Sequence, residues 1–408
     1  MPIQRNTSSL VRWIGNGGLL LGLLFLGIEF FDELDYGIRS AALPSIRDDL
    51  GLNYAQLGLL LGLPHIVSAA VEWLLMLLGD TLLRKRLIVV GGGVLTLALA
   101  LIATANSFSP VLFAWMISFP ASGAFVTLSQ ASLMDLNPGR EAHMMARWSL
   151  SGSLANLIGP LLLAGGFALG WGWRWAFWML AGLALLLAGL AWRSSMPLPN
   201  HPAVEAAQSD RNTRRVGAEL LRGLWQALRS PRLLLMILLL QLADLMMDVL
   251  SIYLPLFYTD VMALKPTQVA LLLSATMLAN LVSDALVIPL LEKFDGRRVV
   301  RLSALVVAVL YVAFLVVPWV AAQIALVLLL KLLTLGWYSV LQGEAYAAAP
   351  GRSGTVMALN SLGGLAGGIF PWLIGVAAER VGLRLAMWLL LLGPLSLLAL
   401  APRPKTDS

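Results

Sequence analysis

Apolar residues run through this chain in blocks of about 20 or more, each long enough as helix to cross a hydrocarbon core of about 30 Å. The blocks lie near residues 15–42, 55–79, 86–106, 110–135, 144–169 and 174–193, then near 232–257, 267–291, 299–319, 321–346, 354–378 and 384–401. This pattern predicts an all-α membrane protein with twelve transmembrane helices. Residues 194–231 form the first polar interval of any length, rich in Pro, Ser and Arg. The interval separates an N-terminal unit, 1–193, from a C-terminal unit, 232–408, with six spans in each. Inside it Leu220, Leu221, Leu224, Trp225 and Leu228 make an apolar stripe opposite Arg215, Arg222 and Arg229. Such a helix lies in the membrane surface or packs on the cytoplasmic face of the bundle.

The blocks are not uniformly apolar. Gly27 to Pro44 continues the first one yet carries Glu29, Asp32, Glu33, Asp35 and Arg39. Charge inside a span is expensive and usually functional. At about 100° per residue, Glu29, Asp32, Glu33 and Tyr36 share one helix face, while Asp35 and Arg39, four apart, can pair on the neighbouring flank. That face is expected to line a water-filled cavity; the alternative is a helix that has left the bilayer by Asp35. On the seventh span Gln241, Asp244, Asp248 and Ser251 form a stripe, and on the tenth Lys331, Thr334, Tyr338 and Gln342 form another. A midplane lysine must find a partner, so Lys331 either faces Asp244 and Asp248 across the cavity or bridges to them between neighbouring helices. Glu72 and Asp284 fall in the cytoplasmic halves of the second and eighth spans, a placement that suits a gate.

Composition agrees with the span pattern: 408 residues, 59% hydrophobic and only 12% charged, far from soluble domains. The net charge of +6 points to topology, not to nucleic acid, because Lys and Arg concentrate in alternate loops, including 84–86, 211–232 and 293–301. Those loops share a side with both termini, which are expected in the cytoplasm. No cysteine is present, so disulfides and thiolate chemistry are excluded. The first span is too long for a signal-peptide core. A bacterial inner membrane is the expected location, with the chain a monomer in the lipid bilayer.

The two units repeat. A shift of 212 (244 − 32) places Asp32 on Asp244, Asp48 on Asp260, Gln56 on Gln268, Glu72 on Asp284, Arg86 on Arg298, Gln130 on Gln342 and Pro138-Gly139-Arg140 on Pro350-Gly351-Arg352. Acid falls on acid more than once in an ungapped register, beside a shared tripeptide. Two pseudo-symmetric six-helix bundles with a site between them are therefore expected.

With these features the chain resembles the major facilitator superfamily of secondary transporters along nearly its whole length. Asp35, seven residues before Ala42-Leu43-Pro44, looks like the end of the first helix in its drug-exporting members. Gly79 to Arg86 is similar to the superfamily's signature Gly-x-x-x-Asp-Arg-x-Gly-Arg-Arg, but Met76, Thr81 and Leu83 replace the first glycine, the arginine and the second glycine. Glu292 to Arg298 is its counterpart. The proton-linked arginine often found four residues before Gly123 is replaced by Phe119, whose repeat equivalent is Lys331. Gly152, Gly159-Pro160 and Gly165-Gly166 resemble a motif of antiporters, with Ala155 in place of a further glycine. The resemblance implies a cavity lined by the first, fourth, seventh and tenth helices, hence by Glu29, Asp32, Glu33, Asp35, Arg39, Gln241, Asp244, Asp248, Lys331 and Tyr338. It implies a gate formed or supported by Glu72, Asp80, Arg84, Arg86, Gln130, Arg140, Asp284, Arg298, Gln342 and Arg352.

The function expected is proton-coupled antiport that exports a small organic molecule, with proton symport of a neutral solute such as a sugar as the alternative. The acids of the presumed cavity outnumber Arg39 and Lys331, which suits protons and a cationic substrate and disfavours an anion. No cofactor or metal is expected beyond the proton gradient as energy source: His65, His143 and His201 are dispersed, and no phosphate loop or nucleophile beside a base is present. A membrane enzyme or a transporter-like sensor is accordingly disfavoured.

Overall fold

The computed structural model describes residues 16–79, 83–137, 141–196, 229–334, 336–348, 363–364 and 367–401. Within them the chain is helical: α1 Asn16–Leu50, α2 Tyr54–Gly79, α3 Arg84–Thr104, α4 Phe108–Asp135, α5 Glu141–Ala168, α6 Arg174–Arg193 and α7 Pro231–Asp260. There follow α8 Pro266–Lys293, α9 Gly296–Val316, α10 Val320–Leu333, α11 Trp337–Ala348, α12 Ile369–Val381 and α13 Leu383–Leu400. Helices answer the solvent, because a bilayer core offers no water to backbone N–H and C=O groups. Among the described residues ten spans are long and apolar enough to cross a membrane, with α10 and α11 counted as one. The other two expected spans correspond to α1, whose charges keep it out of that set, and α12, described over 13 residues. Residues 220–228 of the predicted stripe lie outside the described residues.

Local sequence bends this plan in three places. The first helix does not end near residue 42 but runs to Leu50, and only Gly51, at φ 62°, turns the chain. Its acids therefore sit mid-helix, and Glu29 and Asp35 are buried. Second, α4 and α7 each contain a π turn, Gly123–Thr127 and Leu245–Val249, a widening that often marks functional helices. Third, the tenth span is broken: α10 stops at Leu333, and Gly336 at φ 66° redirects the chain into α11.

The 212-residue register is visible in detail at the start of the second helix of each half. Gln56 Oε1 accepts the Asn53 N–H at 3.0 Å, and Gln268 Oε1 accepts the Lys265 N–H at 2.9 Å. Within the N-terminal half α1 packs on α5 and α3 on α6; between halves α2 packs on α12 and α5 on α8. The α2–α12 crossing is a backbone contact. A Cβ on Gly62 would lie 2.2 Å from the Gly368 carbonyl oxygen, and one on Gly375 would lie 2.4 Å from that of Tyr54. Only glycine permits this approach.

Candidate functional site

The inter-half contact is strongest at the end that carries the Gly51–Asn53 turn. Arg47, at the foot of α1, donates to both carboxylate oxygens of Asp260 on α7, the longer bond 2.7 Å, and to Asp48 at 2.8 Å. The Tyr54 hydroxyl donates to Asp260 as well, and the Tyr54 N–H donates to Glu379 of α12 at 2.8 Å. Asp48 and Asp260, repeat partners in the sequence, thus meet on one arginine. At the opposite end the ion pairs seen join helices of one half: Arg84 to Asp135 at 2.5 Å, and Arg297 to Glu344 at 2.8 Å.

Beneath this latch lies a cavity of about 550 Å³ lined by α1, α2, α4 and Gly364. Arg39, its lining residue on α1 nearest the latch, is eight residues from Arg47, or about 12 Å along the helix. The lining residues His65 and Thr127 are exposed, so the cavity communicates with the outside. Four carboxylates face it, Asp32, Glu33, Asp35 and Glu72. Asp32 accepts from the Ser122 hydroxyl and Glu72 from the Ser68 hydroxyl. Asp35 is held by Arg39 Nε at 2.8 and 2.9 Å, and Arg39 also donates to Ser118 at 3.2 Å and lies 5.4 Å from the Trp115 ring centre. The cavity's cation is thus already engaged. Phe119 stands edge-on to His65 with ring centres 4.7 Å apart.

Two smaller cavities continue into the C-terminal half. One, about 250 Å³, brings Glu33, Tyr36 and Asn156 together with Asp248, Ser251, Met277 and Asn280. Asn156 Nδ2 donates to Glu33 at 3.1 Å. The other, about 320 Å³, is lined by Asp248, Asn280, Ser283, Thr334 and the first turn of α11 including Tyr338. Glu33 is common to the first pair of cavities, Asp248 and Asn280 to the second pair.

Several sequence-predicted residues stand elsewhere than expected. Lys331 does not face the acids across the cavity. It is 1% exposed, and its ammonium donates to Met247 O at 2.9 Å and Ser251 Oγ at 2.5 Å, because the π turn of α7 leaves carbonyls for it to bind. Glu29 lies against Gly152 of α5, and Gln241 against Gly363 and Gly367, so both are packed away from the three cavities. Asp244 neighbours Asp248 and is not on their walls. Glu72, expected at the gate, faces the main cavity. Arg84 ties α3 to α4 within its own half, Gln130 lies 3.5 Å from the Met145 sulfur, and Gln342 Oε1 has no partner among the described residues. Arg86 and Arg298 are exposed. Asp80, Arg140, Arg352 and the Asp284 side chain lie outside the described residues. Among the described residues no group of acids and histidines fit to hold a metal is seen.

Residues 25–371 match the model of the Major Facilitator Superfamily. The chain belongs to that family. Its sequence is 26% identical over 186 residues to the multidrug export protein EmrB of Haemophilus influenzae, a match covering 44% of this chain and 36% of that protein. It is 28% identical over 184 residues to an MFS-type transporter of the acurin A biosynthesis cluster of Aspergillus aculeatus, covering 42% and 32%. The chain thus spans about a third of the length of these curated relatives. Solved structures share the fold: an inward-facing, unoccupied bacterial homologue of the lysosomal transporter Spinster, with TM-score 0.75, 15% identity and 97% and 100% of the two chains covered. A D-xylose-proton symporter aligns with TM-score 0.72, 14% identity and 96% and 99% coverage. The chain is a multi-pass membrane protein of a transporter family.

Proposed function

We propose that this protein is a proton-coupled antiporter that exports a small organic cation by alternating access. The observation that carries this reading is the cavity itself: Asp32, Glu33, Asp35 and Glu72 line one chamber, where Arg39 is the one Lys or Arg among the described lining residues, and Arg39 is bound to Asp35. Coulomb energy rises steeply where water is scarce, so an unneutralised set of carboxylates resists being occluded. A proton or a cationic substrate relieves it, and the two compete for one site. The latch then makes the described state the inward-open one, with the Arg47–Asp260 end periplasmic, as the Lys and Arg distribution requires. The names of the curated relatives, one of them a multidrug export protein, favour export.

Proton coupling is assigned to the acids of α1 and α7, with Asp32 and Asp244 as repeat partners. In proteoliposomes, Asp32→Asn and Asp244→Asn are expected to remain folded and to exchange substrate, yet to lose their response to an imposed pH gradient. Variants that fold and stay fully driven by that gradient would move the coupling site, with Glu72 the next candidate. A thermal-shift screen against cations, sugars and amino acids identifies the substrate class, since a ligand bound only by the folded state raises apparent stability. Stabilisation by neutral sugars alone would favour the symport alternative.

A further inference from the structure

The seam between α3 and α6 lies apart from the three cavities. The two helices touch where bulk is least: a Cβ on Gly92 would lie 2.8 Å from the Ala188 Cβ. They run antiparallel, since Lys85 at the start of α3 donates at 2.7 Å to the carbonyl of Ser194, just past the end of α6. Gly91 packs on Ala121 and Ala124 of α4, and Leu187 lies against Gly27 of α1. One residue past the contact, at about 100° per residue, Gly93 and Gly189 therefore turn to the other side of the seam, away from the bundle. A Cβ on either would meet nothing within 4 Å. Val90 and Leu97 on α3 and Leu186 on α6 are exposed around them, leaving an apolar groove on the outside of the bundle. The repeat does not demand this groove: the equivalent of Gly93, 212 residues on, is Leu305, whose side chain is exposed.

The groove ends in charge. Arg86 is seven residues from Gly93 and Arg193 four from Gly189, spacings that keep each arginine on the face of its glycine. Both are exposed, and the Lys85–Ser194 bond between the residues next to them holds the two helix ends together. Trp192, 67% exposed, stands beside Arg193 as tryptophans do at the level of lipid headgroups. We propose that this seam binds an anionic phospholipid, with one acyl chain along Gly93 and Gly189 and the phosphate between Arg86 and Arg193. Basic pockets between membrane helices take such headgroups, and this end, opposite the latch, is the cytoplasmic one in the orientation proposed above. Glycines on a helix face also suit a second helix. A two-fold contact between copies of this chain, however, would set Arg86 and Arg193 against the same arginines, whereas a phosphate neutralises them.

The test adds phosphatidylglycerol or zwitterionic phosphatidylethanolamine, with identical acyl chains, to purified full-length protein in detergent and reads bound lipid by native mass spectrometry. Phosphatidylglycerol is expected to bind about five- to thirtyfold more tightly, the effect of one to two basic side chains beside an anionic headgroup, and added salt should shrink the difference. Arg86→Gln combined with Arg193→Gln should abolish the preference, and Arg86→Lys combined with Arg193→Lys should keep it. Gly93→Leu, the residue found at the equivalent position of the other half, fills the groove and should weaken both lipids while leaving their ratio. Melting without lipid shows whether each variant folds, and the native protein alone decides whether the preference exists. Equal binding of the two lipids overturns the proposal, as does a preference that survives the double glutamine variant. Lipid binding indifferent to Gly93→Leu removes the acyl chain from this seam. A dimer that Gly93→Leu disperses would give the groove to a second copy of the chain instead.

Discussion

Arg39 illustrates how a single side chain decides what the cavity can do. Its guanidinium is spread over both oxygens of Asp35, the Ser118 hydroxyl and the Trp115 face, so it neutralises one carboxylate and no other. The pair is about nine-tenths buried, where losing one partner is costly and losing both is less so. Asp35→Asn is therefore expected to destabilise the protein by about 3–5 kcal/mol, whereas Asp35→Asn with Arg39→Gln should recover much of it. Thermal unfolding in detergent measures both, and a double variant no better than the single would contradict the pairing. The acids were legible in the sequence because charge in an apolar run is conspicuous. The serines that hold them were not. Ser118 and Ser122 look like Ser129 and Ser132, whose hydroxyls merely bond helix carbonyls four residues back, and nothing local separates the two uses, whereas Ser68 shares a helix face with Glu72 in the sequence itself. Lys331 was legible as a buried cation, but its partners were not, because a π turn leaves no mark on hydrophobic periodicity.

At the scale of the element, span positions followed from apolar length, yet the interruptions did not. The break in the tenth span lies within Leu-Thr-Leu-Gly-Trp, apolar throughout save one threonine, and a lone glycine in a span is common. The α2–α12 crossing was equally hidden, since Gly58, Gly62, Gly368 and Gly375 gain meaning only when two helices more than 300 residues apart in sequence meet. That crossing carries its own prediction. A valine at Gly62 cannot fit 2.2 Å from a backbone carbonyl, and backbone does not yield as a flexible side chain would. Gly62→Val should force the helices apart at the latched end and favour the opposite opening. Because the native chain has no cysteine, Ala69→Cys on the cavity wall reports this directly. Its labelling by an impermeant thiol reagent added on the latched side should rise about tenfold, the effect of about 1.4 kcal/mol on a two-state equilibrium. Unchanged labelling would mean that the crossing does not hold that end closed.

For the whole molecule, the repeat predicted two halves and the charge asymmetry an orientation, and the second is open to direct measurement. Gln208→Cys should be labelled only after the membrane is permeabilised; labelling in intact cells from the periplasmic side would invert the topology. What the repeat could not supply is the one contact that breaks its symmetry. Asp48 and Asp260 are equivalent in sequence, yet both bind Arg47, and the position equivalent to Arg47 is Thr259. The latch is therefore a single arginine serving two acids from opposite halves. Arg47→Asp would gather acids at that point, next to Asp48, Asp260 and Glu379, and should raise labelling of Ala69→Cys from the latched side. Combining it with Asp260→Arg restores an opposite-charge pair across the same gap, now flanked by Asp48 and Tyr54 on the α1–α2 side. Groups in contact typically couple by about 0.5–3 kcal/mol, so the double variant should return labelling most of the way to the native rate. Rates that simply multiply, with no rescue, would show that the latch reports closure of this end without contributing to it, and would leave the glycine crossing as what holds the two halves together there.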